Sequence, residues 1–349
     1  MRVLSIVGAR PQFVKLAPVA QALARRSVDH LIVHTGQHYD PRMSDAFFAD
    51  LGIPEADAHL GVGSGGHGAQ TGAILTALDP VLQEHRPDWV IVYGDTNSTL
   101  AGAVSATKLH LPVAHLEAGL RSHNRRMPEE INRVLTDHAA DICLAPTELA
   151  MRNLEAEGLA HRSRLVGDVM TDICLMTRDL VTKRGRTVAG VPADRPYVLA
   201  TIHRAENTDD PKKLARLVAA LADLHLPVVL PVHPRLRDKA EAAGITLDSG
   251  SLLPVEPLGY PDMVTAVVGA CAVVTDSGGL QKEAFLLQTP CVTLRSETEW
   301  PETFEGGWNV LSPHGVDLAA LVHRPVGRAA SAPYGTGNAA DQIVAALLN

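Results

Sequence analysis

The chain has 349 residues, 46% of them apolar and 4% aromatic, which suits about two domains with cores built from Ala, Val and Leu. A net charge of −8 with no basic block argues against nucleic acid and anionic membranes as main partners. No apolar run approaches the roughly 18 residues of a membrane span, and Met1 leads straight into Arg2 and a strand without a signal-peptide pattern, so a cytoplasmic protein is expected.

Short apolar strands and helices alternate from the start. Val3–Val7 reads as the first strand and runs into Gly8-Ala9-Arg10-Pro11, where Pro11 opens a helix at a favoured first position. Arg10 and Lys15, near that helix N-terminus, form a candidate anion site. His30–His34 is the next strand. Gly61-Val62-Gly63-Ser64-Gly65-Gly66 then matches G-x-G-x-x-G, but Glu55–Leu60 makes a poor strand and no acid closes a strand about 20 residues on. A glycine loop is expected there, and no redox cofactor.

Trp89–Tyr93 is a strand that empties into Gly94-Asp95-Thr96, where Asp95 is either a helix N-cap or an acid at a strand end. Val113–His115 leads to Glu117, which either pairs with Arg121 or does chemistry. Met127-Pro128-Glu129 opens the helix Glu129–Ala139, where acids meet a favourable dipole. Ile142–Leu144 closes this series. Three acids at the mouth of one domain, Asp95, Glu117 and Glu129, allow a proton to leave one face of a substrate and return on the other.

A second series follows the polar stretch Lys183–Pro196, with strands at Val198–Thr201, Val228–Pro231, Leu252–Val255, Ala272–Thr275 and Cys291–Leu294. His203 and Arg204 follow the first of these and are suited to bind or protonate a departing phosphate. His233 follows the second. After the fourth, Ser277-Gly278-Gly279 opens a helix whose free N–H groups suit a diphosphate. Glu283 lies one turn on, placed to accept hydrogen bonds from two vicinal hydroxyls of a ribose. Cys143, Cys174, Cys271 and Cys291 stand singly in apolar runs and read as core thiols. The histidines and acids lack metal-cage spacing, so no metal is expected. Strand–helix alternation predicts an α/β protein of two doubly wound domains with ligands at the carboxyl ends of the strands, in one cleft. Ala339–Leu348 reads as a final helix that could pack on either domain.

Taken together, these stretches resemble the non-hydrolysing UDP-N-acetylglucosamine 2-epimerases. The resemblance rests on GARPQFVKLAPV, TGQHYD, GDTNSTLAG, HLEAGLRS, MPEEINRVLTDH, APTE, TIHRAENTD, PVHPR, TDSGGLQKEA and TEWPETFEGGWNVL, which occur in order from Gly8 to about Leu311. It implies a GT-B-like fold of two Rossmann-like domains facing a cleft. Residues 1–170 with a returning helix in 332–349 would form one domain, and 171–331 the UDP-binding one. The implied reaction interconverts UDP-GlcNAc and UDP-ManNAc by eliminating UDP to 2-acetamidoglucal and adding it back, with no cofactor. Asp95, Glu117 and Glu129 match the acid–base carboxylates, and His203 the histidine that assists the diphosphate. Arg10, Lys15, Ser277 and Gly278 match phosphate-binding or essential positions, with Gly279 beside them, and Glu283 matches the ribose ligand. The uracil would lie near Pro257–Tyr260. A homodimer is implied.

The chain departs from many members at Ala9 and Gln12, where they carry Thr and Glu, and at Trp300, where they carry Arg. Gln37-His38 continues into Tyr39-Asp40 rather than a second Gln, which speaks against activation by UDP-GlcNAc. The TGQHYD form also occurs in relatives with modified substrates. A hydrolysing epimerase keeps the same carboxylates. A GT-B glycosyltransferase would share the nucleotide grip without needing all three acids.

Overall fold

Most of the strands are unbroken apolar runs rather than alternating ones, as strands covered on both faces must be. In a computed structural model of the chain, which describes residues 1–37, 54–298, 300–327 and 332–348, they form two parallel sheets. The chain divides into two units, Met1–Ile173 with Pro333–Asn349, and Cys174–Ala332.

The first unit runs β1 (Arg2–Val7), α1 (Arg10–Arg25), β2 (Asp29–His34), β3 (Ala58–His59), α2 (His67–His85), β4 (Trp89–Tyr93), α3 (Asn97–Lys108), β5 (Val113–Leu116), α4 (Pro128–Ala139), β6 (Ile142–Ala145), α5 (Glu148–Ala156) and β7 (Ser163–Leu165). Its sheet has the order β3-β2-β1-β4-β5-β6-β7. Connections turn one way from β1 to β3 and the other way from β4 onward, so β1 and β4 flank the topological switch point. Leu4, Ile6, Val90 and Val92 of the two central strands are fully buried and share one cluster with Leu78 and Leu82 of α2.

A helix α6 (Val169–Arg184) carries the chain into the second unit. There follow β8 (Val198–Thr201), α7 (Ala205–Thr208), α8 (Pro211–Ala222), β9 (Val228–Pro231), α9 (Pro234–Ala242), β10 (Leu252–Val255), α10 (Tyr260–Gly269), β11 (Ala272–Thr275), α11 (Gly278–Leu286), β12 (Cys291–Thr293), β13 (Asn309–Leu311) and α12 (Leu318–Val322). The order β10-β9-β8-β11-β12-β13 repeats the same winding, with its switch point between β8 and β11. The closing helix α13 (Ala339–Leu348) belongs to the first unit. Asp172 accepts hydrogen bonds from Ala339 N (3.0 Å) and Ala340 N (2.8 Å) at its start. Trp89 Nε1 donates to the Leu347 carbonyl at 3.1 Å near its end.

The structure differs from expectation at the sheet edges. Ala58–His59 is a strand after all, paired with β2 at the rim, and in the glycine stretch after it the Gly63 carbonyl accepts from Gln70 Nε2 at 2.7 Å. The edge strands β7 and β13 have three residues each, too few to show a pattern in sequence. Cys143, Cys174 and Cys291 are buried free thiols and Cys271 is partly buried. Among the described residues, no helix is long and apolar enough to cross a membrane.

Candidate active site

Each unit gathers polar side chains at its own switch point. In the first unit the organising residue is Gln12, which is 1% exposed. Its Oε1 accepts from Gly8 N (2.8 Å) and Ala9 N (3.0 Å), and its Nε2 donates to the Tyr93 carbonyl (2.8 Å) and Thr99 Oγ1 (3.0 Å). Ala9 offers no capping oxygen, so Gln12 serves the start of α1 while clamping β1 to β4. A glutamate here, if ionised, could not donate to the Tyr93 carbonyl, which gives the departure at this position a physical sense.

Lys15, one turn further along α1, forms an ion pair with Glu117, both side chains largely buried. Burial pulls the Lys15 ammonium down, but the Glu117 carboxylate outweighs it and leaves the group above the ordinary lysine value. Glu117 sits in the left-handed region at φ +67°, uncommon for a residue with a side chain. Gly94 makes room for the pair, since a Cβ there would lie 3.2 Å from Glu117 Oε2 and 3.3 Å from Lys15 Nζ.

Asp95 pairs with Arg133 of α4, and its carbonyl accepts from Asn132 Nδ2 at 2.9 Å. Arg133 also reaches Glu130 at 3.0 Å. The two structural alternatives for these acids fall. Thr96, not Asp95, caps α3, and Arg121 pairs with Glu157 and Asp137 rather than with Glu117. Glu129 is exposed in the first turn of α4. Its neighbour Glu130 is buried and accepts from Ser122 N, Ser122 Oγ and His123 N, each at 2.9 Å. Burial raises the Glu130 carboxyl, but these donors and Arg133 hold it below the usual range. Arg10 opens α1, but its side chain lies outside the described residues, as does His38.

In the second unit β8 and β11 end in register, Thr201 beside Thr275. Asp276, fully buried, accepts from His203 N, Arg204 N and Asn207 Nδ2 at 2.9–3.1 Å and meets His203 Nδ1 at 3.0 Å. Burial pushes the Asp276 carboxyl up, but His203 and the other donors outweigh it and hold it low. An ionised Asp276 on Nδ1 fixes the ring and leaves Nε2 for a ligand. The His233 ring centres 5.5 Å from that of His203. Its Nδ1 caps α9 by accepting from Arg235 N at 3.1 Å, and burial together with His203 lowers its basicity. Ser277 caps α11 through Leu280 N at 3.3 Å, while the Gly278 and Gly279 N–H groups at the helix start have no acceptor among the described residues. Glu283 is 8% exposed, and burial pushes its carboxyl up to about 7. Beside it, the Lys282 ammonium lies 4.0 Å from the centre of the Trp300 ring.

Sequence reasoning missed Asp276, Arg133, Asn132 and the donor role of Gln12. Asp276 had a visible signal, an acid between a strand and a Ser-Gly-Gly helix start. Arg133 had none, because its partner is set by the fold.

With this geometry in hand, comparison with known proteins is informative. The chain matches the sequence profile of UDP-N-acetylglucosamine 2-epimerases over residues 21–348. It is 47% identical to a UDP-2,3-diacetamido-2,3-dideoxy-D-glucuronate 2-epimerase of Pseudomonas aeruginosa, covering 89% of this chain and 88% of that one. The crystal structure of Methanocaldococcus jannaschii UDP-GlcNAc 2-epimerase in complex with UDP-GlcNAc and UDP superposes with a TM-score of 0.86 at 37% identity, covering 100% of this chain and 99% of that one. The Neisseria meningitidis UDP-GlcNAc 2-epimerase bound to UDP-GlcNAc gives a TM-score of 0.88 at 29% identity, with both chains covered in full. The two parallel sheets are those of a GT-B-type protein with two Rossmann-like units.

Proposed function

Because the chain belongs to the UDP-N-acetylglucosamine 2-epimerase family, we propose that it inverts C2 of a UDP-2-acetamido sugar, interconverting UDP-GlcNAc and UDP-ManNAc. The C2 proton is not adjacent to a carbonyl, so direct removal is hard. A carboxylate takes that proton while the C1–O bond breaks and its electron pair leaves with UDP, giving 2-acetamidoglucal. The UDP oxygen then adds back to C1, and a proton reaches C2 from the opposite face. The observation that carries this reading is the pair of acids ending adjacent strands, Asp95 after β4 and Glu117 after β5, each beside its own cation. A lone acid could serve a transferase, whereas two faces of one carbon call for two.

The second unit would stabilise the departing diphosphate, the costliest charge of the reaction, through His203 and the N-terminus of α11. Arg10, Lys15 and His233 are proposed to share that task, with Glu283 on the ribose and Glu129 as a third acid. A second substrate is favoured by one observation, the 47% identity to an epimerase of a diacetamido glucuronate.

The test is proton NMR in deuterium oxide with each UDP-sugar, first without and then with an added acceptor. Deuterium at C2 with the manno epimer still UDP-linked is the expected result for UDP-GlcNAc. Exchange only with the diacetamido uronate would move the substrate. Release of free N-acetylmannosamine would make the enzyme hydrolytic, and transfer to an added acceptor without exchange would replace epimerisation by glycosyl transfer.

A further inference from the structure

We propose that His115 and Asp137 are positioning residues that hold the Asp95 and Glu117 turns in fixed relation for the proton transfers at C2, an inference that rests on the epimerase reading. Neither side chain is exposed at all. The His115 Nε2 lies 2.7 Å from the Gly94 carbonyl. A carbonyl only accepts, so Nε2 carries a hydrogen and donates. On the other side Nδ1 lies 2.6 Å from Asp137 Oδ1. The second Asp137 oxygen accepts from Gly119 N at 3.0 Å and from Arg121 Nη2 at 2.7 Å. Arg121 is itself held by both oxygens of Glu157 at 2.7 Å.

These bonds join in one line from the Gly94 carbonyl, through the imidazole and the Asp137 carboxylate, to the Gly119 N–H. Gly94 immediately precedes Asp95, and Gly119 follows Glu117 by two residues. All three flanking backbones are left-handed, with φ +64° at Gly94, +67° at Glu117 and +81° at Gly119. The two glycines take that region freely, but Glu117 carries a side chain, and a left-handed non-glycine backbone persists only where its surroundings over-determine it. The buried ring and carboxylate supply that constraint for both turns at once. Apolar residues of similar volume would fill the same space without desolvating charge, so packing alone does not account for them. Burial pushes the Asp137 carboxyl up, but His115 and Arg121 outweigh it and hold it low, consistent with Oδ1 accepting from Nδ1.

The experiment joins ring-proton NMR of the 15N-histidine-labelled protein with kinetics of C2 exchange. His115 should show two slowly exchanging ring protons, assigned by their loss in His115→Asn. That variant keeps a group near Asp137 but cannot reach the Gly94 carbonyl, and its kcat should fall on the order of 100-fold with KM little changed. His115→Gln restores a donor toward Gly94 and should recover about tenfold or more of that loss. A single ring proton, undiminished kcat in His115→Asn, or a rise in KM in step with the loss of kcat would overturn the proposal. The ring-proton result on the unaltered protein decides the geometry even where a variant does not fold. Failure of the epimerase reading has a different signature, a wild-type protein that places no deuterium at C2 whatever the ring protons report.

Discussion

In its proposed ribose role, Glu283 would link nucleotide binding to pH. Burial lifts its carboxyl from an ordinary 4.5 to about 7, so the folded chain keeps a proton that the unfolded chain releases between those values. Its contribution to stability is therefore unpenalised below about 4.5, declines as pH climbs, and reaches its full cost above about 7. Ribose hydroxyls prefer the ionised form as acceptor. The affinity for UDP should rise with pH, by up to about tenfold per unit below 7, and level off above it. Glu283→Gln should remove that component of the profile, and calorimetric titration of both proteins reads the difference while the titration of UDP itself cancels. An identical profile in the two would remove Glu283 from the nucleotide site. The positions of these acids at strand ends were legible in the sequence, because an acid following an apolar strand marks itself. What the order of residues could not convey is pairing. Arg121 stands four positions from Glu117 and was the natural partner, yet the cation that arrives is Lys15, 102 residues away. Asp95 meets Arg133 across 38.

At the scale of elements, the sites follow from strand order. In both sheets the chain reverses its direction of winding beside the first strand, and there helices on opposite faces diverge and leave the strand ends open. β1 and β4 present Lys15 and Asp95; β8 and β11 present His203 and Ser277. Continuous apolar runs made those central strands readable, whereas Ala58–His59 and Asn309–Leu311 were not, since an edge strand of two or three residues has no period to detect. The turn after β5 leaves no room for a side chain at Gly119. A Cβ on Gly119 would overlap the Ala150 carbonyl, in a backbone already left-handed. Gly119→Ala should cost about 2–4 kcal/mol, read as a fall of several degrees in thermal unfolding with UDP affinity retained. An unshifted transition would mean that the turn relaxes freely.

For the whole molecule, the decisive feature is that the first unit is assembled from two separated stretches of chain. Asp172 is the fastener. Burial raises its carboxyl, and the Ala339 and Ala340 N–H groups lower it less than burial lifts it. Asp172→Ala leaves both N–H groups without their acceptor, at about 0.5–2 kcal/mol. Amide exchange across 339–348 should quicken while the rest of the chain is unchanged; equal protection in the variant would show that Trp89, the 2.9 Å ion pair of Arg25 with Asp341 and the apolar face of α13 suffice to hold the helix. This arrangement also sets an order of events during synthesis. Residues 174–332 leave the ribosome as one uninterrupted piece and can finish folding at once. The half begun earlier must wait, unfinished at one side of its core, until α13 has been made and closes it.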